Sequence, residues 1–254
     1  MPCNNPLTAY RTNGGGITFS KNNGFVDLRL ELPCGQCMGC RLQKRREWAI
    51  RIVNETRMFE NVCFITLTYS PEYLPEGETL VKDDLQSFMK NLRSALEPER
   101  IRFFACGEYG DETQRPHYHA VIFNYWPDDA TAWKQLETGM LYKSDSLDKI
   151  WKKGIVGINN MSFDLAQYVA KYATKKITGK MQKDHYGDRL PEFTLMSRRP
   201  GIGASYYEKY KKEIWTTDSV PVADGRSLRP PMYYYRKLKE EDPEKYLELH
   251  ILFS

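Results

Sequence analysis

The sequence predicts an α+β protein: a central antiparallel sheet of about five strands with helices packed on one face, preceded by a cysteine-rich hairpin. Three observations lead there. From Val62 onward the patterns run strand, helix, strand, strand, weak helix, strand, helix. The strands Ile101–Cys106 and His117–Phe123 are separated only by a polar stretch, Gly107–Arg115, so they can pair as a hairpin. The helical segments are amphipathic, so each needs one surface to cover.

Ile17–Phe19 and the alternating run Val26, Leu28, Leu30, Leu32 flank Lys-Asn-Asn-Gly at 21–24, which reads as a β-hairpin. Residues 41–59 carry Leu42, Trp48, Ala49, Ile52, Val53 and Phe59 at helical spacing with basic residues between them. Val62–Tyr69 is a buried strand stopped by Ser-Pro at 70–71, and Leu85, Phe88, Met89, Leu92 and Leu96 mark a helix that ends near Pro98. The region of Trp126, Trp133 and Trp151 reads as weak helix, followed by a short strand over 155–158. Ser162 or Asp164 then caps a helix running to about Lys176. The tail from Pro221, rich in proline, tyrosine and alternating charge, is expected to wrap the surface or to be partly ordered. This organisation divides the chain into 1–60 (hairpin, cysteines, basic helix), 61–180 (core) and 181–254 (C-terminal extension packing on the core).

At 254 residues the chain can bury a sizeable core, and its 41% hydrophobic content is too high for a disordered protein. No stretch is apolar enough for a membrane span, and the N-terminus lacks the basic-then-apolar layout of a secretory signal, so a cytosolic protein with no membrane partner is expected. Net charge is only +4, but its distribution is uneven. Residues 41–57 carry six basic side chains against two acids, and 166–183 carry five lysines and no acid. Such stripes suit a polyanion, although solvated helix faces look the same.

Two of the four histidines lie in Pro116-His117-Tyr118-His119, at the start of a strand. Side chains alternate along a strand, so His117 and His119 share a face and can bind one metal ion, while Tyr118 points away. Glu108, at the end of the preceding strand, can be brought beside them by the hairpin. Two imidazole nitrogens and one carboxylate oxygen suit Mg²⁺, Mn²⁺ or Zn²⁺ with positions left open for substrate oxygens. The plainer reading is a pair of structural histidines.

Tyr168 and Tyr172 are four residues apart on the predicted helix, which puts two phenols on one face about 6 Å apart. Each is followed three residues later by a lysine, Lys171 and Lys175. They are either core aromatics with solvated lysines or a pair of nucleophiles whose poor reactivity, with pKa near ~10, a cation would improve. Cys34, Cys37 and Cys40 offer three thiolates in one loop, with Cys3 the candidate fourth ligand of a structural zinc site; unmetallated cysteines or a three-cysteine iron–sulfur site are the alternatives. Cys63 and Cys106 read as buried apolar residues.

FITLTY at 64–69, PHYHAVIF at 116–123 and YVAKYATKK at 168–176 resemble the three ordered motifs of HUH endonucleases, most closely the replication initiators of gokushovirus-type microviruses. Similarity extends to PCGQCMGCR and REWAIR, GEYG, MSRRPGIG at 196–203 and RPPMYYYR near the end, so it spans most of the chain. The resemblance implies that the core, 61–180, is an HUH endonuclease palm, an RRM/ferredoxin-like fold. It also implies that His117, His119 and Glu108 hold Mg²⁺ or Mn²⁺, and that Tyr168 or Tyr172 attacks single-stranded DNA at a replication origin. The products would be a 5′-phosphotyrosine link and a 3′-hydroxyl for a host polymerase, with the two tyrosines alternating between nicking and joining. Lys171 and Lys175 would stabilise charge at the phosphate. A bacteriophage protein acting in the cytoplasm of a bacterial host follows.

Thr66 and Thr68 share a strand face and either line the site or contact DNA; Arg45, Arg46, Arg198 and Arg199 are DNA-binding candidates from charge alone. No G-x-x-x-x-G-K-[ST] loop is present, so unwinding would fall to a host helicase. Competing readings are a one-tyrosine HUH plasmid initiator or transposase, a non-catalytic zinc-stabilised nucleic-acid-binding protein that grips phosphates and stacks bases, and a metal-dependent phosphate-ester hydrolase.

Overall fold

A computed structural model describes residues 3–110, 113–136, 139–172, 181–222 and 225–251. The chain forms two compact units, Met1–Arg46 and Glu47–Ser254, with helix α1 (Met38–Thr56) running through the boundary.

The first unit holds a three-stranded antiparallel sheet of β1 (Leu7–Arg11), β2 (Ile17–Thr18) and β3 (Phe25–Leu32), in the order β2-β1-β3. The expected hairpin between 17–19 and 26–32 is therefore corrected: both strands pair with β1 and not with each other. β1 is too short to show a strong alternation in sequence, yet it supplies the buried Ala9 and Tyr10, so the sheet closes around it.

The second unit is α+β, built on a seven-stranded antiparallel sheet in the order β10-β5-β6-β4-β9-β8-β7. The strands are β4 (Val62–Tyr69), β5 (Arg102–Tyr109), β6 (Pro116–Phe123), β7 (Thr131–Leu136), β8 (Gly139–Lys143), β9 (Gly154–Asn160) and β10 (Phe193–Met196). The expected count of about five is exceeded by two kinds of strand. In the stretch expected as weak helix, Thr131–Leu136 and Gly139–Lys143 instead form a β-hairpin at one edge, and the helix there is the short α3 (Asp145–Trp151), which carries Trp151. Phe193–Met196 adds the other edge against β5.

Helices cover both faces, not one. The central strands β4, β5 and β6 are nearly continuous apolar runs, as strands buried on both sides must be. Cys63, Ile65, Leu67, Ala120 and Ile122 meet α2 (Lys82–Ala95) and α3 on one face through Leu85, Phe88, Met89, Leu92 and Trp151. Phe64, Phe104, Val121 and Phe123 meet α1 and α4 (Phe163–Tyr172) on the other through Ala49, Ile52, Ala166 and Val169.

A further layer covers the back of α1. Ile50 packs with Tyr206, Tyr207, Ile214 and Trp215 of α5 (Ala204–Thr217), Tyr234, Tyr235 and Leu238 of α6 (Met232–Glu241) and Leu249 of α7 (Pro243–Ile251). The C-terminal extension thus packs as a helical layer, which corrects the expectation that its last part, from Pro221, wraps the surface or is partly ordered. Its alternating charge sits on helix faces that the tyrosines anchor from beneath. At the seam, the fully buried Glu55 pairs with Arg102 on β5 and accepts from the Gly203 N–H at 2.6 Å; Arg51 Nε donates to the Ile202 carbonyl, and Asn54 donates to the Tyr234 hydroxyl. The MSRRPGIG and RPPMYYYR segments meet in this polar knot.

One turn limits substitution sharply. Gly154, which opens β9, has φ 155°, and a Cβ there would lie 2.0 Å from the Thr68 carbonyl oxygen. Gly154→Ala must push β9 away from β4, and a loss of about 2 kcal/mol or more in chemical denaturation is expected; an unchanged midpoint would show that this end of the sheet yields without cost.

Candidate active site

The sheet register assembles the site. On β4, β6 and β5, Thr68 lies opposite His117 and His117 opposite Glu108; one pair further along, Thr66 lies opposite His119 and His119 opposite Cys106. Residues directly opposite on neighbouring strands share a face, so all six project to the side covered by α1 and α4. That face is apolar at one end and polar at the other. Tyr118, between the histidines, goes to the opposite face, where its hydroxyl donates to the Val81 carbonyl and accepts from the Val81 N–H.

Glu108, His117 and His119 converge. Glu108 Oε1 is 2.8 Å from His117 Nε2 and 3.0 Å from His119 Nε2, and the three ligand atoms lie within 4.8 Å of one another. His117 Nδ1 is 3.1 Å from the Arg115 carbonyl oxygen, which can only accept, so Nδ1 carries the proton. In the neutral ring, the Nε2 lone pair then faces a carboxylate lone pair, an arrangement that needs a shared proton or a cation between them. His119 Nδ1 is tied to Thr66 Oγ1 at 3.0 Å. Each imidazole is thus oriented from behind, as metal-ligating histidines generally are. Burial works to raise the Glu108 carboxyl, but with a proton at Nε2 of His117 and His119 the hydrogen bonds from these rings outweigh it and hold it well below the usual carboxylate range. The donor set fits a divalent cation.

Ser162 starts α4 by accepting from the Leu165 N–H at 3.1 Å. The helix then lays Ala166, Val169 and Ala170 on the sheet and brings both tyrosines to His119. The Tyr168 ring is 5.4 Å from the His119 ring, edge-on, and the Tyr172 ring 5.5 Å from it, stacked; the two phenols are 5.0 Å apart, centroid to centroid. Their exposures differ widely: Tyr168 is 39% exposed and Tyr172 2%. Burial, and hydrogen bonds to Tyr168 and Glu108, push the Tyr172 phenol far above its ordinary value. Lys171 Nζ stands 6.0 Å from the centre of the Tyr172 ring. Lys175 lies outside the described residues.

The other sequence candidates are more scattered. The Thr68 hydroxyl donates to the Ile155 carbonyl at 3.0 Å. Arg198 and Arg199 are exposed in the turn after β10. Ser197, just before them, hydrogen-bonds to Phe103, five residues from Glu108 along β5, which places them roughly 17 Å from the cluster. Arg45 and Arg46 are half-buried on α1, in the first unit. The sequence reading did not single out Phe64, whose ring stacks on His119 at 5.3 Å, or the Arg115 carbonyl; a backbone acceptor has no side-chain signal. Phe64 could have been found from its place two residues before Thr66 on the same face.

In the first unit, the sulfurs of Cys3, Cys34, Cys37 and Cys40 also lie within 4.8 Å of one another. Cys63 and Cys106 are fully buried in β4 and β5.

An antiparallel sheet with paired histidines on a central strand, a carboxylate on its neighbour and tyrosines on a helix above defines the HUH palm. Residues 62–177, the stretch from β4 through both tyrosines, match the family described as replication-associated protein ORF2/G2P. The chain is 34% identical to the replication-associated protein VP4 of Bdellovibrio phage phiMH2K over 98% of its own length and 80% of that protein. It is 31% identical to the replication-associated protein ORF2 of Spiroplasma virus 4, covering 94% of this chain and 77% of that one. The replication-associated protein ORF4 of Chlamydia phage 1 is 29% identical over 84% of this chain and 55% of the relative. This protein belongs to the family of phage replication-associated proteins. No solved structure matches it. Among the described residues, no helix is long and apolar enough to cross a membrane.

Proposed function

We propose that the chain is a rolling-circle replication initiator that nicks and rejoins single-stranded DNA at a phage origin in the cytoplasm of a bacterial host, with the chemistry in residues 61–180. Glu108, His117 and His119 would hold Mg²⁺ or Mn²⁺, which supplies charge neutralisation at the scissile phosphate. The observation that carries the reading is the exposed Tyr168 phenol packed against His119 at the edge of this three-ligand cluster.

Tyr168 Oη attacks phosphorus, the P–O3′ bond breaks, the phenol gives up its proton and the leaving 3′ oxygen gains one. One phosphodiester is exchanged for another, so the 5′-phosphotyrosine link retains the energy needed for rejoining. The freed 3′-hydroxyl is extended by a host polymerase, with a host helicase opening the duplex. Tyr172, one turn further along α4, attacks the regenerated origin, and the displaced 3′-hydroxyl resolves the first link into a circle. Lys171 and Lys175 add positive charge beside the phosphate, and Thr66 holds the His119 ring. The basic residues Arg45, Arg46, Arg198 and Arg199, together with Thr68, serve DNA binding. The near-complete burial of Tyr172 favours a second reading, a one-tyrosine enzyme in which Tyr172 only steadies Glu108.

The test is incubation of the purified chain with labelled single-stranded DNA, including the cognate origin, with Mn²⁺ or with chelator, followed by denaturing electrophoresis and peptide mass mapping. A metal-dependent covalent adduct on Tyr168 is expected, with DNA binding retained in chelator. Cleavage without an adduct would indicate hydrolysis by water, and binding without cleavage would leave a nucleic-acid-binding protein.

A further inference from the structure

The first unit is short of what folds a protein. Among its described residues the buried apolar side chains are Ala9 and Tyr10, while Leu7, Ile17, Phe19, Phe25, Val26 and Leu28 are exposed. Fewer than about 50 residues with so little core generally need a covalent or metal staple.

The four cysteines that meet in this unit are not paired as disulfides. Cys37 Sγ and Cys3 Sγ are 3.8 Å apart. Four sulfurs at the Zn–S distance of about 2.3 Å from one centre occupy a tetrahedron with edges of about 3.8 Å. A disulfide would need roughly 2 Å between sulfurs, and a four-iron cluster, with each sulfur on a separate iron, would spread them further than the 4.8 Å seen.

The backbone is arranged around the sulfurs as acceptors. The Cys34 N–H points to Cys3 Sγ at 3.3 Å, the Cys37 N–H to Cys34 Sγ at 3.3 Å, and the Asn4 N–H to Cys37 Sγ at 3.4 Å. N–H groups directed at sulfur stabilise thiolates and orient them, as the outer shell of a metal site does. Gly35, at φ 74°, lets the loop turn tightly between Cys34 and Cys37. Cys40 lies in the first turn of α1, whose N-terminal N–H groups favour negative charge, and Arg41, Lys44, Arg45 and Arg46 follow it. A divalent ion with four thiolates carries a net charge of −2, and this surrounding offsets it.

We propose that Cys3, Cys34, Cys37 and Cys40 form a closed, structural tetrathiolate zinc site that folds the first unit, separate from the cation site at Glu108, His117 and His119. All four positions are filled by protein and none is open to substrate, which marks the site as structural and not catalytic; the same sulfur tetrahedron would accept a single iron ion, and metal analysis decides between the two. Cys3 reaches the site across β1, β2 and β3, so the ion joins the beginning of the chain to the start of α1.

Two measurements on the full-length chain, purified under reducing conditions without chelator, test this. Elemental analysis should find tightly held zinc, and cobalt exchanged into its place should show the intense sulfur-to-metal charge transfer and visible bands of a tetrahedral tetrathiolate, which a nitrogen- and oxygen-ligated ion at the histidines cannot produce. Cysteine alkylation mapped by mass spectrometry should find Cys3, Cys34, Cys37 and Cys40 protected until zinc is stripped, then modified more than about tenfold faster, with the buried Cys63 and Cys106 protected in both states. Removing zinc should also open residues before Arg46 to protease and leave the second unit resistant. The proposal fails if the wild-type chain neither retains nor takes up zinc, if iron is held instead, if the cobalt spectrum lacks thiolate charge transfer, or if the four cysteines alkylate equally fast with and without zinc. Because these readouts use neither DNA nor nicking activity, they stand or fall apart from the endonuclease reading.

Discussion

Tyr168→Phe is expected to abolish covalent capture of origin DNA, lowering adduct formation by at least about 10³-fold, while Tyr172→Phe retains the first adduct and loses the joining step that closes a circle. The asymmetry follows from exposure. Tyr168 is open to solvent beside His119, whereas Tyr172 is enclosed and hydrogen-bonded to Glu108, so a strand docking from solvent meets Tyr168 first. His119→Ala should be as damaging as Tyr168→Phe, since it removes both a proposed ligand and the ring on which the tyrosines rest. Peptide mapping of the adduct in each variant decides the order. Capture on Tyr172 in the Tyr168→Phe chain at near wild-type rate would show that α4 rearranges on DNA binding and that the two phenols are interchangeable. Full circle closure by Tyr172→Phe would support the one-tyrosine enzyme.

The largest stability loss is expected at Glu55. Its carboxylate is completely buried, and it holds Arg102 with one oxygen and the Gly203 N–H with the other. Glu55→Ala leaves a guanidinium that is only 15% exposed without its counter-charge, held by the Pro200 carbonyl alone, and the buried Gly203 N–H without an acceptor, a defect worth about 3–5 kcal/mol. In a protein of this size that lowers the melting temperature by on the order of 10 °C. Glu55→Gln can still accept from Gly203 and should lose less. A melting temperature within a degree or two of wild type in Glu55→Ala would show that water reaches the knot and that the C-terminal layer is held by its tyrosines alone.

Much of this was legible in the sequence because it depends on local periodicity. Val62–Tyr69 and Pro116–Phe123 announce themselves as strands, and alternation alone puts His117 and His119 on one face. That Glu108 could be brought beside the two imidazoles followed from the hairpin, though not its register opposite His117, and the grouping of Cys3 with the C-x-x-C-x-x-C loop followed from the N-terminal strands turning the chain back on itself. What was hidden is what long-range burial decides. Thr131–Leu136 has no alternating apolar pattern since it lies exposed at the sheet edge, and Gly139–Lys143, between it and β9, is half-buried along most of its length, with no face set apart from the other. The tail looked like surface because tyrosine and charge are mixed in it, and its tyrosines turn inward on long-range partners, Ile50 and Asn54 on the back of α1 among them. The difference in exposure between Tyr168 and Tyr172, two residues identical in sequence terms, comes from where α4 meets the sheet.

The pairing of β5 with β6 also governs how the gene can change. Glu108 and His117 face each other across a ladder that is joined only beyond Tyr109 and Pro116, so residues gained or lost between those two positions leave the register of the ligands intact. A single codon inserted between His117 and His119 would instead turn one imidazole through to the opposite face and into the surroundings of Tyr118. Length variation among descendants of this chain should therefore collect at the connection, and be absent around Glu108 on one arm and His117 and His119 on the other, which must stay in step.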